Sequence, residues 1–249
     1  MRLKGKVALI TGASRGIGHS MAKLFAQEGA KVAINFLKSE KEALDLAEEI
    51  RKQGGEAIAI KADVSNLNDI KKMIQTTVAK FGTIDILVNN AGIILSAAFL
   101  DCTDDIWDKT MDVNLKGAFL CSREVAPIML EKKRGKIINI SSASGLTERS
   151  AVGNTPYAVS KAGLIGLTRS LAVNLGPYVN VNAICPGLTE TDMAASLKPE
   201  RRRKPIEESI VKRIGKPKEI AHAALFLASD ESDFITAEIM TVAGGRAIR

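Results

Sequence analysis

Short apolar runs that favour strands alternate with helical patterns along almost the whole 249-residue chain. Consecutive strands that are separated by helices must lie parallel and connect through right-handed crossovers, so the alternation predicts a doubly wound α/β sheet. Runs such as 8–10 and 86–88 are continuously apolar, as expected of strands that are covered on both faces. Seven strands are predicted: Val7–Thr11, Lys31–Asn35, Ala57–Lys61, Ile84–Asn89, Lys136–Ser141, Val179–Ile184 and Ile239–Val242.

Between these runs, apolar residues recur at helical spacing, for example Met21, Leu24 and Phe25. No linker or internal repeat interrupts the series, so we predict one domain over residues 1–249, with helices on both faces of the sheet. The interval 189–218 departs from the pattern, because it combines prolines, a basic run and weak periodicity. It predicts an excursion after a strand's carboxyl end, either a lid beside a ligand site or a long surface loop.

The net charge of +7 is concentrated in one stretch, since residues 198–219 contain nine basic and four acidic side chains. A nucleic-acid-binding surface usually interleaves basic with aromatic residues, and this stretch has no aromatic residue. We therefore expect no nucleic-acid partner. No run approaches the roughly 18 apolar residues of a membrane helix, and the apolar run after the basic N-terminus is too short for a signal peptide. A cytoplasmic protein without membrane contact is expected.

The cysteines and histidines show no pattern of metal ligation. Cys102, Cys121 and Cys185 are an odd number without metal-like spacing, and His19 and His222 stand alone. Neither a metal site nor a Ser-His-Asp arrangement is predicted.

A glycine-rich loop, Thr-Gly-Ala-Ser-Arg-Gly-Ile-Gly at 11–18, follows the first strand and opens the first helix. Glycines permit a tight turn and let backbone N–H groups approach a pyrophosphate at the helix N-terminus. The spacing G-x-x-x-G-x-G differs from the commoner G-x-G-x-x-G, but the order strand, loop, helix is that of a dinucleotide site. The loop residues predicted to bind the cofactor are Gly12, Ser14, Arg15, Gly16, Ile17 and Gly18.

Charges near the second strand favour NADP(H). In NAD sites an acidic residue about 20 positions after the loop binds the ribose 2′-hydroxyl, whereas Asn35 is neutral and Lys38 follows it. Asn35 and Lys38 are both predicted to bind the cofactor. Arg15 adds a guanidinium that can hold a phosphate through two hydrogen bonds. Asp63 is predicted to accept a hydrogen bond from the adenine amine. Further cofactor contacts are expected after the third and fourth strands, at Val64, Asn90, Ala91 and Gly92.

Tyr157 and Lys161 lie four residues apart at the expected start of a helix, so their side chains share one face. A neighbouring ammonium favours phenolate, and we therefore predict that the pKa of Tyr157 is lowered from about 10. Such a phenol can donate a proton to a carbonyl that receives hydride, or accept one in the reverse reaction. Ser142, just after the fifth strand, is predicted to hydrogen-bond the developing oxyanion, with Ser144 as the alternative.

Together these motifs resemble the short-chain dehydrogenase/reductase family over about residues 4–245. The matching segments are the glycine loop, Asn89-Asn90-Ala91-Gly92, Asn114 in Val-Asn-Leu-Lys-Gly, Ser142, Tyr157 with Lys161, and Pro186-Gly187 leading to Thr191. The resemblance implies a Rossmann fold in which Tyr157 is the general acid/base and Lys161 lowers its pKa and binds the nicotinamide ribose. It implies further that Ser142 orients the carbonyl and Asn114 anchors a water relay to Lys161. The cofactor's carboxamide end should contact Pro186, Gly187, Thr189 and Thr191.

Within the family, residues 85–93, 113–117 and 182–187 most resemble the 3-oxoacyl-acyl-carrier-protein reductases of fatty acid synthesis. That resemblance implies NADPH-dependent reduction of 3-oxoacyl thioesters by a homotetramer that pairs through helices near 103–132 and 155–175 and the last strand. Two alternatives stay open. One is a sugar, polyol or small-ketone dehydrogenase/reductase of the same mechanism, and the other is a catalytically silent module that senses nucleotide.

Departures from the subfamily pattern concern the substrate side. The 142–157 loop is longer, the basic excursion is enlarged, and Ala243 stands where an acidic residue usually precedes Gly-Gly. Acyl carrier proteins are acidic, so a basic rim would dock one. The candidates are the clusters 132–136 and 201–204, with solvated surface charge as the alternative for each.

Overall fold

The computed structural model describes residues 1–146, 153–195, 197 and 199–246. Seven strands in it form one parallel sheet of order β3-β2-β1-β4-β5-β6-β7. They are β1 (Val7–Ile10), β2 (Lys31–Phe36), β3 (Glu56–Lys61), β4 (Ile86–Asn89), β5 (Gly135–Ile140), β6 (Val179–Pro186) and β7 (Ile239–Val242). The doubly wound parallel sheet is confirmed, and each predicted strand end lies within two residues of the observed end.

Helices cover both faces of this sheet. Those described are α1 (Gly16–Gln27), α2 (Glu40–Lys52), α3 (Leu67–Phe81), α4 (Asp104–Met111), α5 (Gly117–Glu131), α6 (Thr155–Leu175), α7 (Asp192–Ala195), α8 (Pro199–Glu208) and α9 (Pro217–Ala228). Successive strand residues point to opposite faces. Ala8 and Ile10 therefore pack with α1, α2 and α9, whereas Leu9 packs with α3, α5 and the end of α6. The continuous apolar run of β1 thus supplies both cores.

The order of the strands reverses between β1 and β4, because the chain winds first toward β3 and then toward β7. In open α/β sheets, ligands bind in the crevice beyond the carboxyl ends of the strands at such a switch point. The glycine loop follows β1 and the Asn-Asn-Ala-Gly segment follows β4. The fold therefore brings both segments to the place where a dinucleotide would bind.

The excursion after β6 is also confirmed, and it is fastened at its base. Thr189 and Gly215 form an isolated parallel bridge. The Gly215 N–H donates to the Leu188 carbonyl at 3.0 Å, and the Glu190 N–H donates to the Gly215 carbonyl at 2.9 Å. The described helices α7 and α8 lie between these points. The excursion thus leaves the carboxyl edge of the sheet, on the side of the glycine loop.

Candidate functional site

The glycine loop and the end of β4 are built as one unit. Gly12 has φ of +60°, and a Cβ there would lie 2.9 Å from the Ala91 Cα atom. The Thr11 hydroxyl accepts hydrogen bonds from the backbone N–H groups of Asn90 at 2.9 Å and of Ala91 at 3.0 Å. The Asn90 amide donates to the carbonyls of Thr11 and Gly12 at 2.8 and 2.9 Å. Asn90 and Ala91 thereby hold the loop from its side.

Helix α1 offers bare backbone groups to an anion. It begins at Gly16 without a side-chain cap and without an acidic residue in its first turn. The first N–H groups of a helix have no partner within the helix, and its dipole is positive at that end. Because the glycines keep side chains away from this end, the loop fits the pyrophosphate of a dinucleotide.

Gly18 is the position where an added methyl group should do the most damage to the loop. Its Cβ would lie 2.5 Å from the Gly12 carbonyl oxygen and 2.6 Å from the Asn90 amide nitrogen. We expect Gly18→Ala to lower the free energy of unfolding by about 1–3 kcal/mol through overpacking, and to weaken dinucleotide binding. Thermal unfolding and cofactor titration check both effects. Gly215→Ala is the matched control, because its Cβ would make only ordinary contacts of 3.6 Å or more; equal losses in both variants would contradict the account.

Asn35 lies beneath the loop instead of at its surface. It is only 2% exposed, its Oδ1 accepts from the Gly12 N–H at 3.1 Å, and its Nδ2 donates to the Ala62 carbonyl at 3.0 Å. In this geometry β2 runs one residue beyond Asn35, and the Asn35 amide bonds to groups inside the protein. The contact of Asn35 with the cofactor stays a prediction. Arg15 and Lys38 are exposed and stay the candidates for a 2′-phosphate.

The residues after β3 also lie at the carboxyl edge of the sheet. The Asp63 Oδ1 accepts from the Ser65 N–H at 2.8 Å and from the Ser65 hydroxyl at 2.6 Å, which fixes this carboxylate in a turn. Val64 is buried, and its carbonyl oxygen would lie 2.8 Å from a Cβ on Gly117. Both positions suit the predicted contacts, which stay predictions.

Ser142, Tyr157 and Lys161 meet where β5 ends and α6 begins. The Ser142 hydroxyl lies close enough to the Tyr157 phenol to lower its pKa. The Lys161 ammonium donates to the Ile140 carbonyl at 2.8 Å and lies 5.7 Å from the centre of the Tyr157 ring. Ser144 instead donates its backbone N–H to the Ser142 hydroxyl at 3.1 Å. The geometry therefore favours Ser142, not Ser144, as the partner of Tyr157.

The protonation of Tyr157 differs from the prediction. Burial raises the pKa of Tyr157 above its usual 10.0, and the nearby Ser142 hydroxyl opposes this without cancelling it. Burial also lowers the pKa of Lys161 from 10.5 to about 8. The predicted lowering of the Tyr157 pKa was wrong, because loss of water around the phenol dominates and the ammonium donates to a backbone carbonyl. Tyr157 therefore keeps its proton at neutral pH.

Asn114 lies in a π-helical turn, Asp112–Lys116, between α4 and α5. It is 1% exposed. Its Oδ1 accepts from the Ile93 N–H at 2.8 Å, and its Nδ2 donates to the Ile93 carbonyl at 3.0 Å and the Ser160 hydroxyl at 3.1 Å. Such turns are frequent at functional sites. This one joins the segment after β4 to α6, beside Lys161, and the water relay stays a prediction.

The sequence analysis missed three residues that hold the backbone of Tyr157 and Lys161 in place: Ser141, Ser160 and Gly145. The Ser141 hydroxyl donates to the Lys161 carbonyl at 2.6 Å, and the Ser160 hydroxyl donates to the Tyr157 carbonyl at 2.8 Å. Gly145 packs against α6, since a Cβ there would lie 2.6 Å from the Lys161 carbonyl carbon. The available signal was adjacency, because each serine directly precedes a predicted site residue.

The segment after β6 reaches from the C-terminal region to the glycine loop. A Cβ on Gly187 would lie 2.8 Å from the Ala243 Cα atom, so Ala243 packs closely on the start of the excursion. The Thr189 hydroxyl donates to the Gly187 carbonyl at 3.0 Å. The Thr191 methyl carbon lies 3.3 Å from the point that a Cβ atom on Gly16 would occupy. The two sides of the crevice therefore touch at Gly16 and Thr191.

Within 1–146, 153–195, 197 and 199–246, no three His, Cys, Asp or Glu side chains are grouped so as to hold a metal ion. Over those ranges, no helix combines the length and the apolar character needed to cross a bilayer.

Comparisons with known proteins agree with this geometry. Residues 12–247 match the family model described as Enoyl-(Acyl carrier protein) reductase. The chain is 42% identical over 250 residues to the 3-oxoacyl-[acyl-carrier-protein] reductase FabG of Thermotoga maritima, covering all of both chains. It resembles a short chain dehydrogenase from Burkholderia cenocepacia in complex with NADP, with a TM-score of 0.94, 35% identity and full coverage of both chains. A putative gluconate dehydrogenase from Agrobacterium tumefaciens is also similar, with a TM-score of 0.93, 35% identity and coverage of 98% of this chain and 97% of that one.

Proposed function

Because the chain belongs to the short-chain dehydrogenase/reductase family of oxidoreductases, we propose that it uses NADPH to reduce 3-oxoacyl thioesters to 3-hydroxyacyl thioesters. The observation that carries the chemistry is the cluster of Tyr157, Ser142 and Lys161, at the edge of the sheet where the glycine loop lies. The relative from Thermotoga maritima, which matches over its whole length, supports the substrate class. The Burkholderia cenocepacia complex with NADP supports the cofactor.

NADPH, when bound, supplies the hydride. The cradle of Gly12, Gly16 and Gly18 with the uncapped first turn of α1 would hold its pyrophosphate. Exposed Arg15 and Lys38 would hold the 2′-phosphate. The remaining contacts are assigned to Ser14, Ile17, Asp63, Val64, Asn90, Ala91, Gly92, Tyr157, Lys161, Pro186, Gly187, Thr189 and Thr191.

Ser142, Tyr157 and Lys161 each have a separate role in the reduction of the carbonyl. The Ser142 hydroxyl donates a hydrogen bond to the ketone oxygen and holds it next to Tyr157. As the carbonyl carbon accepts the hydride, Tyr157 donates its proton to that oxygen, so that C=O becomes CH–OH and the phenol becomes phenolate. The buried Lys161 ammonium stabilises this negative charge, since opposite charges attract strongly away from water. A relay anchored at Asn114 would return the proton.

An acyl carrier protein would dock on the excursion, which carries the 201–204 cluster, and not on the 132–136 cluster. That cluster lies where β5 begins, at the edge opposite the candidate site. Three of its basic side chains are in ion pairs: Lys132 with Asp85, Arg134 with Asp230 at 2.6 Å and Lys136 with Asp233 at 2.7 Å. Helix α8 follows the carboxyl end of β6. Its Arg203 pairs with the exposed Glu207 one turn later at 2.5 Å, and an exposed pair of this kind is a weak restraint. The Arg201 side chain lies outside the described residues.

We also propose a homotetramer. Apolar side chains stand exposed on the helices expected at its interfaces, among them Phe119 of α5, 41% exposed, and Val173 of α6, 83% exposed. The strand β7 forms one edge of the sheet, and an edge strand can be covered by a second copy.

Turnover of a sugar acid, polyol or small ketone is the second candidate, and the similarity to the putative gluconate dehydrogenase favours it. A silent nucleotide sensor is disfavoured by the assembled Ser142, Tyr157 and Lys161 cluster.

The test is nicotinamide absorbance after mixing the protein with NADPH and a short 3-oxoacyl thioester, with NADH and a panel of ketones and sugar acids in parallel. We expect rapid NADPH oxidation with the thioester and at least tenfold slower turnover of the others. Turnover confined to the panel would support the second candidate. Absence of turnover with every compound would contradict both.

A further inference from the structure

We propose that Asp192 sets cofactor selectivity by competing with the 2′-phosphate of NADP(H) for the guanidinium of Arg15. The inference rests on the proposed function in one respect, the use of a 2′-phosphorylated cofactor. The inference goes further in assigning a role to Asp192, which lies on the excursion side of the crevice. Asp192 would weaken the preference for NADP(H) over NAD(H) that Arg15 creates.

The contact joins two segments that are distant in sequence. An Nη atom of Arg15 lies 3.4 Å from an Oδ atom of Asp192. Directly beside this ion pair, the Thr191 methyl lies 3.3 Å from the Cβ position of Gly16. Two successive residues of the excursion therefore meet two successive residues of the glycine loop, so the pair occupies a defined place at the mouth of the crevice.

The backbone that carries Asp192 is fixed by hydrogen bonds within its own segment. The Thr191 hydroxyl donates to the Thr189 carbonyl at 3.3 Å and accepts from the Ala194 N–H at 3.3 Å. The Ala195 N–H donates to the Thr191 carbonyl at 2.8 Å, and the bridge between Thr189 and Gly215 fastens the base. Asp192 thus belongs to an ordered turn, although both side chains of the ion pair are well exposed, at 65% for Arg15 and 72% for Asp192.

The competition follows from charge and geometry. A guanidinium binds carboxylate and phosphate through the same paired N–H groups, so Arg15 cannot serve both anions fully. A phosphate at this position would also be repelled by the Asp192 carboxylate. NADH has no 2′-phosphate, and its affinity should therefore be almost independent of Asp192.

The experiment measures dissociation constants for NADPH and NADH by fluorescence titration at low salt. We expect Asp192→Asn to tighten NADPH binding about two- to fivefold, as removal of an exposed ion pair allows, and to leave NADH binding unchanged. Arg15→Ala should weaken NADPH binding selectively. In the Arg15→Ala background, Asp192→Asn should have no effect on NADPH affinity, because no guanidinium remains for which the carboxylate and the phosphate could compete.

Glu190→Gln is the matched control, since it removes one negative charge from the same segment two residues away. An equal effect of Glu190→Gln, an equal shift of NADH affinity, or an effect that persists without Arg15 would overturn the inference. If the wild-type protein does not prefer NADPH and Arg15→Ala changes nothing, both the NADPH assignment and the inference fail. If the preference exists and depends on Arg15 but not on Asp192, the inference alone fails.

Discussion

Replacement of Tyr157 by phenylalanine should lower the turnover number for carbonyl reduction by about 10³-fold or more, while NADPH binds with nearly unchanged affinity. The variant removes the only group in the proposed mechanism that gives a proton to the carbonyl oxygen. General acid catalysis by a positioned side chain contributes about 10²–10⁴-fold, and the phenolate charge that Lys161 stabilises would also be absent. Phenylalanine keeps the ring, so the packing around α6 should survive.

The measurement is steady-state oxidation of NADPH together with a fluorescence titration of the cofactor and a melting curve. Tyr178→Phe is the matched control, because Tyr178 is the other tyrosine of the chain. It is 40% exposed and its ring lies 5.9 Å from the Lys133 ammonium, away from the candidate site. The control should keep wild-type turnover. Turnover within tenfold of wild type in Tyr157→Phe would show that another group donates the proton.

The fold was predictable because its strands and its loop chemistry are local features of the sequence. Each strand is a short apolar run, and the glycine loop has both its residue types and its neighbours in one segment. The location of the 132–136 cluster could also have been inferred, since the predicted fifth strand begins at Lys136 and its first residues must lie opposite the site. That position makes the cluster a poor docking surface for a substrate carrier.

Three features depended on tertiary structure. The direction of the Asn35 side chain follows from where β2 ends, and element ends are set by packing as well as by the local sequence. The pKa of Tyr157 is governed by burial, which a pair of residues in a sequence does not reveal. The contact of Arg15 with Asp192 joins positions 177 residues apart. They come together because the parallel sheet places the carboxyl ends of β1 and β6 at the same edge.

Carbonyl reduction should be nearly independent of pH up to about pH 7.5 and fall at higher pH, with a midpoint near the Lys161 pKa of about 8. Burial disfavours the ammonium form and lowers the pKa of Lys161 from 10.5, so the positive charge is present below about pH 8 and is lost above it. Tyr157 stays protonated through this range because burial raises its pKa above 10.0. The loss of activity therefore belongs to Lys161, and kcat/KM should decrease about tenfold per pH unit above the midpoint.

The profile is measured as kcat/KM from pH 6 to about pH 10, with a melting curve at each pH to confirm that the protein stays folded. Lys161→Met places a neutral side chain of similar length at the same position. We expect this variant to be slow at every pH and to lose the break near pH 8, because no ammonium remains to titrate. A break that persists in Lys161→Met would assign the titration to another group. A wild-type rate that stays constant to pH 10 would show that the mechanism does not depend on the charge of Lys161.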